Sequence, residues 1–354
     1  MSDQDLVVET VRDILTGFEP FVLTAERRWD AGLWSALAEA GLTGVGLPEE
    51  VGGSGGELAD AVAIVRTLAA GSAAVPVAEQ LLVAGPAVVA ADLALPAVEE
   101  PLTFAVGDAV TAKASDDGDG PGRFTLTGTA TDVAWAGAAQ HVAVLATSAV
   151  GPVLALVAVG DLPAGDAFNL AGEPRGSLVF DGVAATGALL TDAQAEELRA
   201  RYALARAVQL AAALEQVLAW TVQYAGERQQ FGRPLGKFQA IQMELAEMAG
   251  EVTAVTALTD AAVQALQRGS ADFVLAAAAA KVRAGAAVDV VARLAHQVHG
   301  AIGFTQEYKL HHLTRRLWSW RDEAGSDLAW ARVLGTGLLA GGPDVLWPAL
   351  TRVV

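Results

Sequence analysis

The chain has 354 residues, past the length at which one hydrophobic core usually stops growing, so two or three packed subdomains are expected. Its 23 Lys and Arg face 41 Asp and Glu, a net charge of -18 with a pI near 4.6, which excludes nucleic acid or an anionic membrane surface as the expected partner. With 53% hydrophobic and 18% charged residues and a mean hydropathy of +0.38 the chain is too apolar for disorder, and the absence of Cys removes disulfides, thiolate metal sites and cysteine nucleophiles.

The opening MSDQDLVVETVRDIL carries acids where an export signal needs a basic start and an apolar run, so a cytoplasmic protein is expected. Trp34, Leu37, Ala38, Gly41 and Leu42 recur at helical spacing, and Val45 to Gly56 is a turn-rich loop. Leu58 to Leu68 resumes a helical pattern, Pro76 and Pro86 punctuate the next apolar stretch, and Pro96 to Pro101 is read as a linker. From Leu102 to Leu190 the pattern changes to short Val- and Thr-rich runs bounded by Gly, Asp and Pro, which predicts a small β domain. Within it, Asp116 to Gly122 is a solvated hairpin tip rather than a calcium loop, because the ordered ligand spacing is missing. Val142 to Gly160 is free of charge at near membrane-spanning length. Gly151-Pro152 splits it in the middle, so a β-hairpin is expected and no membrane insertion.

After Thr191 three long helices are predicted, Glu196 to Ala225, Leu235 to Leu266 and Ala271 to Val298, with a fourth from Leu310 onward. Together they imply an antiparallel four-helix bundle. The fold class is mainly α with a small central β domain, divided as 1–100, 101–190 and 191–354. Trp318, Trp320 and Trp330 are read as bundle or interface packing, and long helices with few charges fit burial between subunits.

Two segments stand out chemically. In Tyr224 to Gln242, Gly232, Pro234 and Gly236 interrupt a helix, while Phe231, Leu235, Phe238, Ile241 and Leu245 share an apolar face. Packing accounts for those apolar residues but not for Arg228, Gln239 and Gln242, since a guanidinium fork beside amides suits a phosphate or a base edge. In Ala295 to Tyr308 a long helix stops at Gly300. His296 and His299 lack a third ligand at a recognisable spacing, so no metal is expected. His311 and His312 are expected on different helix faces.

These two segments resemble the signature regions of the acyl-CoA dehydrogenases, flavoproteins that oxidise acyl-CoA thioesters to 2,3-enoyl-CoA. The Val45 to Gly56 loop and the order of helical domain, β domain and four-helix domain resemble the family as well, so the likeness spans the chain. It is specific in the C-terminal half and weak between Leu102 and Leu190. In that family a carboxylate removes the α proton, the β hydrogen leaves as hydride, and FAD spans a subunit interface. The resemblance implies that Arg228, Phe231, Gln239, Gln297, Val298, His299, Gly300 and Ala301 hold the adenosine and diphosphate arm of FAD.

The remaining family features are absent at the matching positions. Leu102 to Asp116 and Asp132 to Gly137 show neither the Thr-Glu-Pro-Gly turn nor the Trp-Ile-Thr strand that faces the flavin ring, and Trp135 is out of register. Ala324 stands where the family has its catalytic Glu, and a second base position aligns with Tyr202. The family Arg beside that position aligns with Ala203, with Arg201 and Arg206 close by. Glu323 and Asp322 immediately precede Ala324, but a helix turns by about 100° per residue, so a neighbour points elsewhere.

The reading that follows is a non-catalytic subunit of a heteromeric acyl-CoA dehydrogenase, paired as α2β2 with a catalytic subunit that brings the base, the ring pocket and most of the acyl-CoA contacts. Two alternatives are a homomeric enzyme with Glu323 or Asp322 as base, and a structural subunit without cofactor. Straight-chain, branched and steroid-side-chain thioesters all remain open.

Overall fold

The structure is a computed structural model. It describes residues 3–18, 29–115, 122–160, 162, 167–340, 342, 344 and 347, and the Asp116 to Gly122 tip lies outside them except for Gly122. The chain divides into two compact units, residues 1–65 with 73–205 and residues 66–72 with 206–354.

The first unit contains helices α1 (Asp3–Thr16), α2 (Ala31–Glu39) and most of α3 (Leu58–Ala70). Asp30 caps α2 by accepting the Leu33 N–H at 3.0 Å, and α2 buries Leu33, Trp34 and Leu37. The Val45 to Gly56 loop closes on itself, with Gly46 N–H donating to Gly55 O and Gly55 N–H to Leu47 O. Gly53 is required there, because a Cβ would lie 2.2 Å from the Leu47 carbonyl oxygen.

The stretch punctuated by Pro76 and Pro86 is helical, as expected of the first hundred residues. Helix α4 (Val77–Glu79) passes through a π-turn (Gln80–Ala84) into α5 (Gly85–Ala90). Pro86 has no N–H to offer the Leu82 carbonyl four residues back. Arg201 Nε–H supplies it instead at 3.1 Å.

Strands β1 (Leu102–Ala114), β2 (Arg123–Ala134), β3 (His141–Ser148), β4 (Gly151–Ala158) and β5 (Arg175–Leu189) close a barrel in the order β1-β2-β5-β4-β3. Only the β1–β3 pair is parallel among the five. The uncharged Val142 to Gly160 stretch is the expected hairpin, with Ser148 opposite Gly151. Its Val142, Val144, Val153, Ala155 and Val157 fill the barrel core with Leu126, Leu178 and Phe180. No described helix is long and apolar enough to cross a membrane.

The second unit is helical. Helix α6 (Asp192–Glu227) enters it at Arg206, a small hairpin of β6 (Gln229–Gln230) and β7 (Arg233–Pro234) follows, and α7 (Gln239–Gln267) and α8 (Phe273–His299) run back and forth. Their shared core includes Leu210, Leu214, Val217, Met248, Val252, Val255, Val288, Val291, Leu313, Leu317 and Trp320.

Two expectations are corrected here. Helix α7 starts at Gln239 rather than Leu235, because Phe238 is extended (φ -92°, ψ 131°), and Phe231 stands off the apolar face on the hairpin, 91% exposed. The helix expected from Leu310 onward is two helices, α9 (Leu310–Asp322) and α10 (Asp327–Ala340). Ala324 (φ 56°) and Gly325 (φ 88°) turn the chain between them.

Candidate functional site

The first signature segment begins at the last turns of α6. Arg228 N–H donates to Tyr224 O at 2.8 Å and Leu235 N–H to Arg228 O at 2.8 Å, which ties the hairpin to the helix end. The Arg228 side chain is exposed. At the hairpin tip Phe231 adopts φ 52°, an unusual conformation for an aromatic residue, and sets its ring edge-on to Phe238 at 6.2 Å. Arg233 covers the other ring of that pair, 4.2 Å from the Phe238 centroid. Gln239 is exposed at the start of α7, whereas Gln242 is engaged with its own segment, donating to Gly236 O at 2.9 Å.

The second segment is the end of α8. Gln297, Gly300 and Ala301 are exposed, and Val298 and His299 are buried. Gly300 adopts φ 62°, ψ -143°, a region open essentially to glycine alone, and a Cβ built there would meet nothing within 4 Å. Its backbone therefore faces open space. Gln297 and Gly300 line a cavity of about 540 Å³ with Arg293, His296, Phe304 and Trp318. Phe304 stacks on His296 at 4.5 Å, and Arg321 lies 4.8 Å over the Trp318 ring.

The two segments meet through rings. Tyr224 stacks on His299 at 4.5 Å and 23°, and its hydroxyl donates to the His299 carbonyl at 3.4 Å. The exposed members Arg228, Phe231, Gln239, Gln297, Gly300 and Ala301 thus belong to two segments that touch, while the His299 ring turns into the protein. Burial lowers the pKa of His299, as it does for His296. His296 bonds Thr314 Oγ1 at 3.0 Å. His311 and His312 do not separate as expected: their rings lie 4.1 Å apart, and burial followed by repulsion from His311 lowers His312 to about 4.

The turn between α9 and α10 is held from several sides. Lys281, fully buried on α8, donates from Nζ to Arg321 O at 2.5 Å and Gly325 O at 2.9 Å, and Trp330 Nε1–H donates to Ala324 O at 2.7 Å. Glu323 forms an ion pair with the buried Arg206 at 2.9 Å. Asp322 is exposed and paired with Arg321 at 3.1 Å. Burial, then the nearby Arg206, lowers Lys281 to about 8. In the first unit, Tyr202 is a core residue edge-on to Phe104 at 5.4 Å. Trp135 is buried too, at φ 60°, with its indole N–H on Glu79 at 3.1 Å and Arg175 over its ring at 5.6 Å.

The family model for the acyl-CoA dehydrogenase C-terminal domain matches residues 194–328, and that for the N-terminal domain matches residues 1–91. Acyl-CoA dehydrogenase IpdE2 of Mycobacterium tuberculosis is 31% identical over 296 residues, covering 82% of this chain and 81% of the relative. The chain belongs to the acyl-CoA dehydrogenase family. Among solved structures, the ChsE4-ChsE5 complex from Mycobacterium tuberculosis superposes with a TM-score of 0.85 at 26% identity, over 97% of this chain and 99% of that one. A Tcur3481-Tcur3483 steroid ACAD variant gives 0.84 at 28% identity, over 96% and 98%.

Members of the acyl-CoA dehydrogenase family bind FAD, and the donor set of this chain fits one end of that molecule. Arg228 offers a guanidinium, Gln239 and Gln297 offer amides, and Gly300 offers backbone that a ligand can approach without meeting a side chain. The ring end finds no such fit within the barrel stretch Asp132 to Gly137, because its one aromatic residue, Trp135, is buried and bonded to Glu79.

Sequence reading missed Lys281, Tyr224 and Tyr308. A single Lys inside the Ala-rich run of α8 was the available signal for the first. The two tyrosines carry no pattern of their own and are recognised only by what they touch.

Proposed function

We propose that this chain is the base-deficient subunit of a heteromeric FAD-dependent acyl-CoA dehydrogenase, organised as helical, β and four-helix domains at 1–100, 101–190 and 191–354. Arg228, Phe231, Gln239 and the Gln297 to Ala301 segment hold the adenosine and diphosphate arm of a flavin shared with a catalytic subunit in an α2β2 assembly. The observation that carries the reading is the state of the turn at Ala324. The residue itself is a methyl group, and the carboxylate beside it, Glu323, is neutralised by a buried guanidinium.

Bound FAD supplies the hydride acceptor for α,β-dehydrogenation of an acyl-CoA thioester. This chain's part is binding and orientation: Arg228 places positive charge for the diphosphate, Phe231 provides an exposed apolar plate, and Gly300 admits close backbone approach. Proton removal belongs to the catalytic subunit. That partner also carries the ring pocket, since Trp135 is committed to the core of this chain. The heteromeric assemblies named among the similar structures support the choice of a partner subunit.

Flavin absorbance and subunit stoichiometry test the reading, measured on the chain alone and after co-expression with a complete acyl-CoA dehydrogenase subunit encoded beside it. Little flavin alone and one FAD per pair of unlike chains is the expected result. A purified chain that is fully flavinated and active overturns it, and Glu323→Gln abolishing that activity with the unfolding midpoint unchanged would establish the homomeric alternative.

A further inference from the structure

We propose that Tyr224, His299 and Tyr308 are positioning residues that fix the spacing between the two cofactor segments. The proposal rests on the assignment of those segments to the FAD arm and adds how their separation is set. Tyr224 lies one helical turn before Arg228, and its carbonyl accepts the Arg228 N–H. Any shift of Tyr224 therefore carries the base of the hairpin with it. On the other side, His299 is the last residue of α8 and immediately precedes Gly300. Gly300 has no side chain and open space beside it, and its N–H donates to His296 O, which ties it to the last turn of α8. The His299 ring holds that turn against Tyr224 of α6.

That ring is built to pack rather than to bind. His299 is 3% exposed, and its Nδ1 bonds Ala295 O at 2.7 Å, a contact that requires the proton on Nδ1. Its Nε2 has no hydrogen-bond partner among the described residues. Tyr224 covers one face at 4.5 Å, and Tyr308 closes the cluster at 5.2 Å from His299 and 6.2 Å from Tyr224. Three rings from α6, α8 and the segment before α9 thus meet where the two exposed donor sets are joined. Residues supporting a binding geometry act by reducing the ordering cost of the contacts they hold.

The experiment measures the FAD dissociation constant of the flavin-loaded assembly, prepared from this chain alone or with its co-expressed partner, together with turnover at saturating FAD. Tyr224→Leu is expected to weaken FAD by about tenfold with turnover at saturating FAD unchanged, and Tyr224→Phe, which keeps the ring, to stay within about threefold of the parent. Should Tyr224→Leu fail to assemble, Tyr308→Leu removes the cluster's other ring and is expected to weaken FAD severalfold. Arg228→Ala separates the two levels of inference. If Arg228→Ala weakens FAD while neither leucine variant does, the positioning role is overturned. If Arg228→Ala also leaves FAD binding unchanged, the arm assignment itself fails.

Discussion

Glu323 sits against two buried cations, Arg206 and Lys281, and is the carboxylate that directly pairs with the first of them. Removing one partner of a buried pair leaves the other charge without compensation, which costs more than the pair contributes by forming. Glu323→Gln is therefore expected to destabilise the chain by about 3–5 kcal/mol, read by urea unfolding. A residue serving only as a base would leave the midpoint in place. The histidines give a second prediction at this scale. His296, His299 and His312 are all lowered by burial, the last to about 4, below the usual value near 6.5. Between about pH 6.5 and 4 the unfolded chain holds the extra protons, so stability falls as pH drops through that window. Unfolding midpoints at pH 7.5 and 5 check this, and His312→Gln is expected to flatten the slope.

At the scale of elements, the end of α8 and the break between α9 and α10 both depend on backbone with positive φ, at Gly300 and at Ala324 and Gly325. Gly300→Ala is expected to cost about 1–3 kcal/mol through its φ alone, because an added Cβ meets no neighbour. The same variant is expected to lower flavin retention, read by the absorbance of the gel-filtered assembly. In the α9–α10 turn, Lys281 and Trp330 together satisfy the carbonyls of Arg321, Ala324 and Gly325. Lys281→Met keeps the buried stem and removes both of its bonds. Increased hydrogen exchange confined to residues 321–330 is the expected outcome, and unchanged protection there would show that Trp330 alone holds the turn.

For the whole molecule, composition limits the partners and the site limits the role. A net charge of -18 disfavours polyanions, and a chain with 53% hydrophobic residues has ample material for a large core. A ligand that binds only the native assembly raises its stability by mass action, about 2.7 kcal/mol at one hundred times the dissociation constant. Added FAD is thus expected to raise the melting temperature of the co-expressed assembly markedly and that of the isolated chain little. Equal shifts in both samples would argue for a complete flavin site in this chain.

The long helices were legible because their apolar residues recur at 3.6-residue spacing over many turns, and the β3–β4 hairpin because Gly151-Pro152 breaks an otherwise uncharged run. Arg228, Gln239 and Gln242 were legible as polar side chains without a packing role, although Gln242 turns back to donate to Gly236 O, and Gln297 was singled out by the family resemblance alone. By itself, then, the sequence determined the helical and β character of its segments and the two signature segments, since these depend on residues close in the chain. Tertiary structure alone decided that the Leu82 carbonyl freed before Pro86 is met by Arg201, 119 residues away, and that Tyr224 and His299 join two segments 75 residues apart. It also decided that Glu323 rests on Arg206. In each case a buried polar group or ring takes whichever partner folding brings within reach, and spacing along the chain carries no trace of that choice.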